Sequence, residues 1–261
     1  PAQLGVLASM ARSRVRVRKR ARVAIIASGD EIVDLDQAEE ILAGRKTATS
    51  NSYTLHALVL EAGATPVPLG IAADTLESVR ALFERATRES DLIVSTAGVS
   101  VGEHDFVRDA LAALGAESGF WRVRMRPGSP LGFATVGGVP WIGLPGNPVS
   151  TMVCFELYVR PAIRKMHGHR DLFRRTVPAV TEEPIKTGGR LTHFLRAVLT
   201  ETDAGYRARL TGPQGSGILT SMAKANALLI VPEDRNEVPA GSTLSALLLD
   251  DSRSTEHPPL G

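Results

Sequence analysis

Three short stretches follow apolar runs and carry the residue types that handle phosphates: "ASGDE" (27–31), "STAGVSVGEHD" (95–105) and "GLPGNPVS" (143–150). Glycine and serine let an anion come close to backbone N–H groups, and hydroxyls add donors. A fourth stretch, "GIAAD" (70–74), brings Asp74 to the same kind of position. Carboxylates beside a phosphate site imply a divalent cation that neutralises the clash, because magnesium takes a few carboxylates together with phosphate oxygens and waters. None of the four is the Gly-rich dinucleotide fingerprint or a lysine-containing phosphate loop. Spacing alone therefore leaves two readings open: an anion site, or small-residue turns in which Asp30, Asp74 and Asp105 cap helices.

The elements that must position these loops are legible by period. "RVAIIAS" and "DLIVST" are buried strands, and "ATPVPLGIA" is an extended segment with two prolines. "SNSYTLHALVLEAG" is a helix closed by Gly63, "DTLESVRALFERATRES" a helix with Asp74 at its N-cap, and "DFVRDALAAL" a third. "GFWRVRM" and "LGFATVGGVPWIGL" supply strands, and "NPVSTMVCFELYVRPAIRKM" a long helix. Strands alternating with helices predict a three-layer α/β fold with a mostly parallel sheet, and ligands of such sheets bind at the carboxyl ends of the strands, where all four loops fall. From about residue 171 helical periodicity gives way to short β runs, "TVPAVT", "RLTHFLRAVLT", "YRARLTG", "NALLIVPE" and "STLSALLL". The expected organisation is a linker with a helix remnant of a preceding domain (1–20), an α/β domain (21–170), a small all-β domain (171–250) and a disordered polar tail (251–261).

Composition excludes several classes. With 261 residues, 43% of them hydrophobic, the chain can bury a substantial core, and no apolar run is long enough for a membrane helix. The net charge of +2 conceals "RSRVRVRKRAR" (12–22), whose seven basic residues leave −5 for the rest. A generally basic nucleic-acid surface is thereby excluded. The Arg/Val alternation fits a strand or an extended solvated linker, with an anion or nucleic-acid contact as the other reading, although no aromatics are interleaved for base stacking. The one cysteine, Cys154, lies in an apolar run and is expected to be packed rather than reactive, in keeping with a reducing compartment. His56 and His193 are expected as packing or surface residues. His167 and His169 lack further ligands nearby, and His104 stands within the second loop. Trp121 and Trp141 lie in expected strands.

The stretches "VAIIASGDEIV", "TSNSYTLHALVLEAGA", "STAGVSVGEHDFVRDAL", "VRMRPGSPLGFA", "GLPGNPVSTMVCFELYVRPAI", "RLTHFLRAVL" and "GPQGSGILTSMAKANALLIVPED" occur in the order found in the molybdopterin molybdenumtransferase family of MoeA-type proteins. The resemblance spans roughly residues 5 to 248. It implies an enzyme of molybdenum cofactor biosynthesis that takes adenylylated molybdopterin and molybdate, uses Mg2+ or a similar divalent cation, and releases AMP. By matching position, Glu31, Asp105 and Asp74 resemble the catalytic acids, and Asp30, Glu31 and Asp105 the metal ligands. Ser28, Gly29, Asp30, Gly98, Ser100, Gly102, Pro145, Gly146 and Asn147 resemble pterin and phosphate contacts. Arg126, Ser150, Arg190, Arg196, Ser216 and Ser221 resemble the molybdate pocket, and arginine with serine suits a tetrahedral dianion.

The chain departs from the family pattern at Ser28, usually threonine, at Ala97, usually glycine, and in "RPGSP" (126–130), where the family has "KPGKP". Ser129 thus removes a positive charge beside the oxyanion pocket. The resemblance further implies a cytoplasmic protein that forms a homodimer when it carries the family's N-terminal domains; hydropathy argues against a membrane partner and charge against a nucleic-acid one. Two other functions share the same residues: a non-catalytic pterin-binding or scaffolding module, and a molybdopterin adenylyltransferase. The β domain and its arginine motifs disfavour the latter.

Overall fold

The computed structural model describes residues 1–96 and 106–250, without the side chain of Ser118. Helix α1 (Ala2–Ser9) buries no residue, and the basic run that follows has no regular structure before β1 (Arg22–Ser28). Val15 and Val17 stay exposed, so the Arg/Val alternation marks a linker rather than a strand.

The first sheet has the order β4-β1-β5-β9-β8-β6. β4 (Thr65–Ala72), β1, β5 (Leu92–Thr96) and β9 (Val139–Leu144) are mutually parallel, while β8 (Pro130–Val136) runs antiparallel to β9 and to the edge strand β6 (Glu117–Arg122). β1 is buried on both faces, which explains its uninterrupted apolar sequence. Val23 and Ile25 pack with α3 (Ser50–Glu61), α6 (Pro148–Cys154) and α7 (Arg160–Met166), whereas Ala24 and Ile26 pack with α4 (Leu76–Glu89) and α5 (Phe106–Ala113). Helices on both faces make the three layers expected from the alternation of elements. β2 (Ile32–Val33) and β3 (Thr47–Ala48) form a parallel pair beside the end of β1, bracketing a short 3-10 turn (Leu35–Gln37) and α2 (Ala38–Leu42).

Three details differ from the sequence expectation. The N-cap of α4 is Thr75, whose hydroxyl accepts from Ser78 N, and not Asp74. From an extended Thr75 the hydroxyl reaches the third helical N–H, and the Asp74 carboxylate turns instead towards the loop after β1. The long helix is one rod, but it widens into a π turn at Phe155–Val159, just before Pro161. Proline has no N–H and crowds the preceding turn, which the wider turn relieves. "GFWRVRM" is split between β6 and β7 (Met125–Arg126), because residues 123–129 fold back, with Val123 N bonded to Ser129 O and the Ser129 hydroxyl donating to Val123 O.

β7 leaves the first sheet and pairs with β12 of the second. That second sheet contains β10 (Thr176–Thr181), β12 (Thr192–Thr202), β13 (Gly205–Leu210), β14 (Ala227–Val231) and β16 (Thr243–Leu248). β13 pairs with both β10 and β12, so the sheet closes into a barrel filled by apolar residues such as Leu195, Leu229 and Leu244. β11 (Ile185–Lys186) and β15 (Glu237–Val238) pair outside it. α8 (Leu219–Lys224) lies between β13 and β14, a short helix inside a stretch whose texture suggested only strands.

Candidate functional site

The register brings the ends of the expected strands together. Ala27 of β1 is level with Thr96 of β5, and Thr96 with Leu144 of β9, so the three strands end side by side at one edge of the sheet. A cavity of about 640 Å³ opens there. Ser28, Glu31, Pro145, Gly146 and Asn147, all singled out from the sequence, line it together with Thr96. Gly98, Ser100, Gly102, His104 and Asp105, as well as Ala97, lie outside the described residues.

The loop after β1 divides its two carboxylates. Gly29 has φ +133°, and the Glu31 carboxylate folds so close that a Cβ on Gly29 would lie 2.8 Å from both its oxygens. The conformation therefore requires glycine, and a Cβ would in addition push the Glu31 carboxylate aside. Asp30 is turned away: its Oδ1 accepts from Asp74 N at 3.0 Å, while Asp74 Oδ2 accepts from Asp30 N at 3.2 Å. This reciprocal pair ties the loop after β1 to the one after β4. Lys46 Nζ donates to Asp30 O at 2.7 Å. Of the two described acids expected on a metal, Glu31 lines the cavity and Asp30 serves a backbone N–H. Among the described residues no group of three His, Cys, Asp or Glu side chains could hold a metal ion.

The cavity has a wall that the motif analysis missed. Thr49, Ser50 and Asn51, at the start of α3, line it, and Asn51 Nδ2 donates to Gly146 O at 2.7 Å across to the loop after β9. Asn51 Oδ1 is buried and has no hydrogen-bond partner among the described residues. The signal was the run "TSNS", four hydroxyl or amide residues opening a helix, to which neither the helix reading nor the family resemblance assigns a site role.

A second cavity, of about 440 Å³, lies where β7 meets the barrel, lined by Arg126, His193, Arg196, Gln214 and Gly215. It neighbours the first: Gly215 borders one and Gly217 the other. Arg196 is fully buried. Its Nε donates to Ser221 Oγ at 3.0 Å and its Nη2 to Gly215 O at 2.9 Å, and its backbone N donates to Gln214 Oε1 at 2.8 Å. All these acceptors are neutral, and burial holds the guanidinium below its usual pKa. A buried cation held by neutral acceptors is poised for an anion. Burial also lowers His193, opposed by its bond to Gly188 O and helped by the charge of Arg126.

The six residues expected around molybdate are thus sorted. Arg126 and Arg196 share the second cavity and Ser221 supports Arg196. Ser150 is buried in α6, and Ser216 O accepts from Val149 N at the start of that helix. Arg190 is exposed on the loop before β12, where its carbonyl accepts from Arg124. Ser129 lines neither cavity.

Comparison with known proteins bears on this arrangement. Residues 24–165 match the family described as "Probable molybdopterin binding domain", and residues 178–249 match "MoeA C-terminal region (domain IV)". A "Molybdopterin molybdenumtransferase" of Nostoc sp. is 34% identical over 253 residues, 95% of this chain and 57% of that protein. "Molybdopterin molybdenumtransferase 2" of Mycobacterium tuberculosis is 36% identical, over 94% of this chain and 60% of that protein. The crystal structure of a molybdopterin biosynthesis moeA protein from Pyrococcus horikoshii superposes with TM-score 0.79 at 25% identity, covering 96% of this chain and 60% of that one. The chain spans about three fifths of the length of these relatives. With the two matched regions in sequence, and with the loops of the first lining one cavity beside the arginine of the second, the chain belongs to the molybdopterin molybdenumtransferase family of MoeA-type proteins.

Proposed function

We propose that the chain carries the part of a molybdenum cofactor biosynthesis enzyme that inserts molybdate into adenylylated molybdopterin and releases AMP. The observation that carries this reading is the adjacency of two cavities with different chemistry. The first, with Ser28, Glu31, Thr96 and the Pro145–Asn147 turn, suits a phosphorylated ligand. The second, with Arg126 and the buried Arg196, suits a tetrahedral oxyanion substrate.

Glu31 is the described carboxylate that fits a magnesium ion, because such an ion needs few protein ligands when phosphate oxygens and waters complete its shell. When bound it would supply charge neutralisation at the phosphate. The chain's own residues orient the ligand: Asn51 and Gly146 fix one wall, Gly29 leaves room for Glu31, and Arg196, held in place by Ser221, holds the anion beside it. Asp74 acts through Asp30 as a positioning residue, and Asp105, Ser100, Gly98 and Gly102 complete the phosphate side as the family resemblance implies. The division of the chain near residue 170 fits these roles, the α/β part holding the pterin ligand and the barrel supplying Arg196. A homodimer of a longer chain is the assembly the resemblance implies, and the lone buried Cys154 is in keeping with the cytoplasm.

The test is AMP release from adenylylated molybdopterin with and without molybdate, on the longest available chain and on this one. Molybdate-dependent AMP release is expected, reduced by Glu31→Gln and by Arg196→Met. Tight ligand binding with no AMP release under any condition would favour the scaffolding module instead.

A further inference from the structure

Away from both cavities, four arginines surround a third, of about 400 Å³. The helical rod that leaves β9 beside the first cavity runs back along the sheet and ends at His167, which accepts from Ala21 N just before β1. Arg160 and Arg164 of α7 therefore lie towards the opposite edge of the sheet from the loops described above. Arg174 and Arg175, just before β10, face them across the cavity.

The charges there do not balance locally. Arg174 is paired with two carboxylates: Nε donates to Glu156 Oε2 at 2.6 Å, and Nη2 to Glu156 Oε1 at 3.1 Å and Glu61 Oε1 at 2.8 Å. Arg160 donates to Leu172 O, with its Nε 3.9 Å from the already occupied Glu156 Oε2. Arg164 donates to Asp171 O. These carbonyls orient the two guanidiniums without neutralising them. Arg175 meets no side-chain or backbone acceptor among the described residues, and none of the four arginines is within ion-pair distance of Asp171, the only carboxylate residue in the described wall. A guanidinium offers five N–H donors in a planar fork, so most of those on Arg160, Arg164 and Arg175 remain for a ligand. Burial, together with the charges of Arg174 and Arg164, lowers the pKa of Arg160, while Glu156 opposes the shift.

We propose that this cavity is a binding site for a phosphate-class oxyanion, which Arg160 and Arg164 hold from α7 and Arg175 from the barrel. Convergent guanidiniums suit such an ion because each can give two parallel hydrogen bonds to its oxygens. Arg175 O accepts from Leu248 N of β16, so Arg175 is anchored in the barrel, and α7 is part of the rod packed on the first sheet. The bound ion bridges the two halves of the chain.

Inorganic phosphate is the probe, titrated calorimetrically and in thermal melts at constant ionic strength against chloride. Phosphate raises the melting temperature of the wild type, and chloride does not. Arg164→Gln combined with Arg175→Gln lowers phosphate affinity by about tenfold or more and removes the thermal shift, with Arg175→Gln alone giving a partial loss. Arg196→Met, which alters the second cavity, leaves the shift in place. The proposal is overturned if the double variant keeps the wild-type shift, if Arg196→Met alone abolishes it, or if the wild type shows no saturable phosphate binding below about 10 mM.

Discussion

Glu31 owes its place in the first cavity to a neighbour with no side chain. A methyl group on Gly29 would meet the Glu31 carboxylate at 2.8 Å and would also impose a strained backbone at φ +133°. Gly29→Ala is expected to cost about 1–3 kcal/mol of stability and to displace Glu31. If Glu31 contributes to divalent-ion binding, the cation requirement for AMP release rises more than stability falls, as metal titrations and denaturant melts of the same variant will show. Ser129 presents the converse case. Its hydroxyl donates to Val123 O and lines neither cavity, yet the neighbouring Arg126 and Pro127 border the second. Ser129→Lys exchanges a backbone clasp for a positive charge near the oxyanion. If that charge reaches the ion, molybdate affinity rises by about 10- to 150-fold at low salt, the worth of one charged hydrogen bond, and less at high salt. Calorimetry at two ionic strengths reads the difference, and equal affinity would place the ion beyond the reach of residue 129.

Among the elements, the segment between β6 and β8 decides how the two sheets join. β7 has only two residues but belongs to the barrel, whereas β6 and β8 belong to the first sheet. The return at Gly128 (φ +99°) fits against α6 so tightly that a Cβ would collide with Cys154 Sγ. Cys154 is buried, its thiol pushed up to about 12 by burial, and it donates to Gly128 O. Gly128→Ala is expected to destabilise by about 2–5 kcal/mol through strain and overpacking combined. Adding Cys154→Ala removes the collision but not the strain, so chemical denaturation should show the double variant recovering part of the loss. If the second change adds a further full penalty, the contact is not what limits residue 128.

On the scale of the whole molecule, His167 joins the end of α7 to the start of β1 by accepting from Ala21 N at 3.0 Å. An imidazole nitrogen can accept only when it carries no proton. Burial, then the charges of His169, Arg20 and Arg164, lowers its pKa from 6.5. A lowered histidine pKa means that the unfolded chain binds the proton more readily. The stabilisation is therefore present above pH 6.5 and is lost as pH falls through 6.5 towards the folded value. His193, lowered mainly by burial, acts in the same direction. Melting temperature should be level above neutrality and decline on mild acidification, and His167→Gln should flatten that decline. A wild-type protein that gained stability between pH 7 and 5.5 would contradict the assignment.

The sequence by itself determined the fold class, because a strand buried on both faces must be apolar throughout and a helix packed on one side must repeat its apolar residues every three or four positions. β1 and α4 follow that rule, while barrel strands such as β10 and β16 alternate buried and exposed residues, as strands with one wet face do. It also marked Ser28, Glu31 and the Pro145–Asn147 turn as cavity residues, since small and acidic residues after parallel strands fall at the ligand-binding edge. Tertiary structure decided what local pattern does not encode. Asp30 and Asp74, alike in sequence as loop acids, bond each other's backbone because β1 and β4 happen to be neighbours. Asn51 joins the cavity wall because the start of α3 lies across from Gly146. Arg196 and Arg190, six residues apart in one motif, are separated by burial, since only Arg196 lies on β12 where the barrel meets β7. Residue type and period depend on a residue's immediate neighbours, whereas these three placements depend on which distant segments fold against one another.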